Sequence, residues 1–101
     1  MNKLELNDKL ASLYPEIARL LEDAKSELSY IYYIVDDSKI MFELALANDI
    51  WIQPFNNLGF IYAHARRVVI FDKIFYKDHE SPLAASLYAI AMALVKLAES
   101  K

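Results

Sequence analysis

The residues best equipped for chemistry lie between positions 64 and 80: His64, Arg66, Arg67 and Asp72, then Asp78, His79 and Glu80. On a helix, one turn separates His64 from Arg67 and about two turns separate His64 from Asp72. A general base, an anion clamp and a carboxylate would therefore not converge without help from another element. Arg66 and Arg67 form at most a weak anion-binding pair, and they serve equally well as surface partners for acidic residues. Asp78-His79-Glu80 has ligand types but lacks ligand spacing, and reads as a solvated turn. The sequence has no Glu-x-x-His, His-x-x-x-His, calcium loop, glycine-rich phosphate loop or Gly-x-Ser-x-Gly elbow. It has no cysteine, which removes disulfides, thiolate metal clusters and a thiol nucleophile, and fits a reducing compartment. The expectation is a protein that is not an enzyme and needs neither metal nor cofactor.

Its 101 residues allow one domain, and 56% hydrophobic residues allow a core. The longest uncharged stretches are Ile50 to Ala65, broken by Pro54, Asn56, Asn57 and Gly59, and Ser81 to Val95. Both fall short of the roughly 20 apolar residues of a bilayer span. The start, Met1-Asn2-Lys3-Leu4-Glu5, has no signal-like apolar run, so a cytoplasmic location with no membrane contact is expected. A net charge of −3 disfavours a nucleic acid partner, since duplex binders need a basic face.

A single glycine in the whole chain argues against an all-β, hairpin-rich fold. Leu10, Leu13, Ile17, Leu20, Ala24, Leu28, Ile31 and Val35 recur every three or four residues, the stripe of a helical segment over about 4–35 with a break near Pro15. Asp36-Asp37-Ser38 offers a stop and a cap before a short helix at 38–48. Leu58, Ile61, Ala65, Val68 and Phe75 keep helical spacing with Asp72 among them, which predicts a third helix at 57–77. Ser81-Pro82 followed by Leu83, Leu87, Ile90, Leu94 and Leu97 predicts a fourth at 82–99. The fold expected is all-α, a small bundle of about four helices. The alternative is α+β, with a hairpin in 50–76 turning at Asn56-Asn57-Leu58-Gly59, because Val68-Val69-Ile70-Phe71 favours strand.

The last helix is apolar on every side, and a helix in a small bundle ordinarily keeps one face in water. Ala85, Ala89 and Ala93 form a strip of small side chains beside Met92, so self-association as a homodimer through this helix is expected. A second contact surface is expected at Tyr30, Tyr32, Tyr33, Asp36 and Asp37. Three tyrosines in four positions cannot all face one core, and residues 1–50 carry ten acids against five bases, which suits a basic partner. The functional expectation is a protein-binding module that occludes its partner. In size, expected helix content, acidity and lack of catalytic signatures the chain resembles small bacterial immunity proteins, antitoxins and phage-encoded inhibitors as a class, without a motif that carries the likeness. A purely structural homo-oligomer is the second expectation, and a nucleotide-binding enzyme using His64, Arg66 and Arg67 the third.

Overall fold

The computed structural model describes residues 1–65 and 72–100. Four helices and a three-stranded antiparallel sheet make it α+β, so the all-α bundle is corrected in favour of the hairpin alternative.

Helix α1 spans Lys3–Leu13, and the Asn2 side chain caps it by accepting from the Glu5 N–H at 2.8 Å. Helix α2 spans Pro15–Glu27. A residue before proline is pushed out of the helical region, and Tyr14, at φ −127° and ψ 106°, is the resulting joint. The first stripe does not continue to Val35. Leu28 is already extended, and residues 28–33 form a loop that enters a 3-10 turn at Ile34–Asp36. Helix α3, Ser38–Ala47, is capped by Asp37, whose Oδ1 accepts from the Ile40 N–H.

The predicted third helix is overturned where it can be compared. Strand β1 is Ile50–Phe55, β2 is Phe60–Ala65 and β3 is Ile74–Phe75, in the order β1-β2-β3. Phe55 pairs with Phe60 across a turn at Asn56–Leu58 that closes on Gly59. Gly59 sits at φ 76°, where only glycine is unstrained, and its carbonyl accepts from the Tyr76 N–H at 2.9 Å. The β-prone run at 68–71 lies outside the described residues. The reason helical spacing misled is visible in β2. Ile61, Ala63 and Ala65 face the core while Phe60, Tyr62 and His64 face the other way, and because the second row is also mostly apolar, the alternation of a half-solvated strand is hidden.

Helix α4, Pro82–Glu99, is capped by Ser81 and lies between two layers. The sheet covers one side, and α1, α3 and the 3-10 turn cover the other. Among the described residues α4 alone is long and apolar enough to cross a membrane, at mean hydropathy 1.4. Its buried residues, from Ala85 to Val95, instead form the centre of the core with Leu6, Leu10, Ile17, Ile34, Met41 and Ile61.

Tyr14 ties the helix joint to this centre. Its hydroxyl donates to the Leu94 carbonyl at 2.7 Å in a buried setting, and burial raises its pKa above the usual 10.0. The folded state therefore keeps a proton that the unfolded chain releases near pH 10, so stability falls as pH rises through and above that value. Tyr14→Phe is expected to cost about 1 kcal/mol at pH 7. It should also flatten the loss of stability between pH 9.5 and 11, as read by urea unfolding; an unchanged alkaline slope would assign that loss to other groups.

Candidate protein-contact surfaces

The sheet has a second face, turned away from α4. Register places Trp51 opposite His64, Gln53 opposite Tyr62, Phe55 opposite Phe60, and Phe60 opposite Phe75, so these side chains share one side. Phe55 stacks on Phe60 at 5.1 Å and on Tyr62 at 5.4 Å, and Phe75 meets Phe60 edge-on at 5.8 Å. Lys73 lies over the Phe60 ring at 4.9 Å and Lys77 over Phe75 at 5.8 Å. Phe60 is thereby buried by its neighbours alone, whereas Trp51 is 64% exposed, Leu58 67% and Phe75 38%. Among the described residues, no helix packs on this side.

The arrangement limits what the face can recognise. Phe55, Phe60 and Tyr62 spend much of their ring faces on one another, which leaves fewer free faces for base stacking, and the cluster suits apolar side chains of a protein better than nucleobases. The sequence expectation put Phe60, Tyr62 and Phe75 on the helix at 57–77, and the strands replace it. The signal that pointed to them is the turn sequence Asn56-Asn57-Leu58-Gly59, on which the hairpin alternative rested.

The loop at residues 28–37 carries the predicted tyrosine and acidic residues, and most of them have internal work. Buried Asn7 donates from Nδ2 to the Tyr32 carbonyl at 2.8 Å and accepts from the Ile34 N–H at 3.0 Å. The Tyr32 hydroxyl donates to Asp37 Oδ2 at 2.6 Å, and burial, then that bond, push its pKa far above the usual range. Asp37 is occupied at both oxygens, since the other caps α3. Asp36 pairs with Lys3 at 3.0 Å on the surface, and this hydrogen bond holds the Lys3 ammonium above its ordinary pKa. Tyr33 is half-buried with Lys3 beside its ring. Tyr30 and Ile31 remain exposed, at 67% and 62%, beside a groove of about 400 Å³ walled by Leu4, Leu21 and Leu28. The loop thus presents two apolar side chains, while its carboxylates are engaged.

The alanine strip is not a surface. Ala85, Ala89 and Ala93 are at most 2% exposed inside the chain's own core, and Met92 is half-buried against it. The cover that a four-helix bundle could not supply comes from the sheet.

The catalytic grouping does not assemble among the described residues. His64 lies half-buried on the aromatic face, Asp72 is paired with Lys96, and Arg66 and Arg67 lie outside the described residues. The His79 ring packs against Tyr88 at 4.8 Å, at the rim of a cleft of about 520 Å³ that also holds Lys3, Asp78 and Glu80. Among the described residues no three metal-ligating side chains come together. No family model, curated protein or solved structure matches the chain.

Proposed function

We propose that this chain is a non-catalytic protein-binding module that acts by covering a partner's surface, and that the covering surface is the outer face of the sheet. One observation carries the reading: Trp51, Phe55, Tyr62 and Phe75 share a side of the sheet that no helix covers among the described residues, while the other side is packed. Aromatic side chains bury much area with few rotors to freeze, and they concentrate at the anchors of interfaces. Lysines border this face, so its partner is an apolar protein surface with an acidic margin; a basic partner would find the carboxylates of the 28–37 loop already engaged. An inhibitor or immunity role is one form such occlusion takes, although the likeness to those classes rested partly on an all-helical fold.

The test is photo-crosslinking in the native host. Benzoylphenylalanine at Phe75 is expected to trap one dominant partner, and the same group at Tyr30 to trap little. Efficient capture from Tyr30 with none from Phe75 would move the contact to the loop and defeat the proposal.

A further inference from the structure

Resting on the covering role proposed above, we infer that the partner element seated on the outer face of the sheet is an acidic amphipathic helix, and that Lys73 and Lys77 select it.

Residues 50–65 and 73–77, which hold the three strands, the hairpin turn and the two lysines, contain no aspartate or glutamate. Lys73, two residues before Phe75, follows the strand alternation to the outer side, and its ammonium lies 4.9 Å from the centre of the Phe60 ring. That of Lys77 lies 5.8 Å from the centre of the Phe75 ring. Neither lysine forms an ion pair among the described residues. A ring attracts an ammonium through its quadrupole without neutralising it, so both charges are held against the aromatic face and still lack an anion.

The acids that flank these residues in sequence stand away from the face. Asp72 pairs with Lys96 of α4, which covers the packed side of the sheet, and Asp78 lines the cleft that Tyr88 of α4 also lines. Asp49 precedes Ile50, at the end of β1 remote from the turn where Phe55, Phe60 and Phe75 meet. The hairpin end of the face is therefore locally cationic in a chain whose net charge is −3.

Shape selects the element. Three strands span about 10 Å between the outer strand axes, close to the diameter of one α-helix. The packed side of the same sheet already carries one helix, α4, which touches all three strands. A partner helix fits the outer side in the same way, with its apolar stripe over Trp51, Phe55 and Tyr62 and its carboxylates toward Lys73 and Lys77. A basic helix would bring like charges onto the two lysines, and that repulsion opposes docking.

The test uses the full chain and two synthetic peptides about as long as α4, with the same leucines at helical spacing and either glutamates or lysines flanking them. Trp51 is the single tryptophan and stands on this face, so its emission reports docking there. The glutamate peptide is expected to shift that emission to the blue and to saturate, less tightly as salt rises. The lysine peptide is expected to bind about tenfold more weakly or worse, although the chain is acidic overall. Lys73→Glu with Lys77→Glu should reverse the order. Lys25→Glu with Lys39→Glu makes the same change in net charge at exposed positions away from the sheet, and should preserve it. Equal binding of the two peptides, a preference of the unaltered chain for the lysine peptide, or no shift with either at about 100 µM overturns the inference. So does an order that survives reversal of Lys73 and Lys77, or one that reverses equally with Lys25 and Lys39. The two failures are separate: capture of a partner at Phe75 in the host, with equal binding of the two peptides, retains the covering role and removes the acidic helix.

Discussion

Leu94→Ala is expected to lower the free energy of unfolding by about 2–5 kcal/mol, the range for removing a fully buried leucine from a core that cannot collapse around the gap. Leu94 has no exposed surface, and its backbone carbonyl receives the Tyr14 hydroxyl, so the cavity opens inside the core at the level of α4 to which the helix joint is tied. The adjacent Ala93→Leu separates two views of the last helix. If the strip Ala85, Ala89, Ala93 were a docking surface, a larger apolar side chain there would leave the monomer stable and disturb only association. Ala93 has no exposed surface, so adding three carbons must displace neighbours, at a cost of about 1–3 kcal/mol. In a domain of this size each kcal/mol lowers Tm by roughly 4–8 °C. Thermal unfolding followed by circular dichroism should therefore show both variants melting well below the parent at any protein concentration. An Ala93→Leu variant that melts with the parent would mean that the strip faces outward.

How much of this was legible in the sequence depended on whether the deciding interaction was local. Pro15, Asp37 and Ser81-Pro82 act on the residues next to them, and the joint at Tyr14, the start of α3 and the start of α4 are where these residues imply. The path of the chain after α2 was not legible, because Asn7, more than twenty positions away, holds Tyr32 and Ile34 by two hydrogen bonds. Hydrophobic spacing alone let the helix run on through Leu28 and Ile31. The strands failed for a different reason. A strand with apolar side chains on both faces has no period of two to read, and Leu58, Ile61 and Ala65 fall at helical intervals by coincidence. The error then propagated to function: without a sheet there was nothing to cover α4, and the missing cover was assigned to a second molecule. Once the sheet is present, α4 needs no partner, and the unsatisfied surface is the far side of that sheet.

The second large effect is expected at Asn7, the buried polar residue of the core. Its amide does two things at once, donating to the Tyr32 carbonyl and accepting from the Ile34 N–H, and no buried side-chain nitrogen or oxygen among the described residues is left without a partner. Asn7→Leu keeps the branched shape, at a larger volume, but strands one backbone acceptor and one backbone donor. Each unsatisfied group costs about 1–3 kcal/mol, so a loss of about 2–6 kcal/mol is expected. The distinctive consequence is local. With its anchor removed, the segment 28–33 should exchange its amide hydrogens much faster than α4 does, and the Tyr32 hydroxyl should lose its geometry to Asp37, weakening the cap on α3. Asn7→Asp retains the acceptor for Ile34 but replaces the donor with a second oxygen facing the Tyr32 carbonyl, so it should be worse at neutral pH than in mild acid, where a protonated carboxyl can donate again. Recovery on acidification in Asn7→Asp, absent in Asn7→Leu, would identify the donated bond to Tyr32 as the part that holds the loop; equal stability of the two variants at pH 7 and pH 4 would assign the role to packing alone.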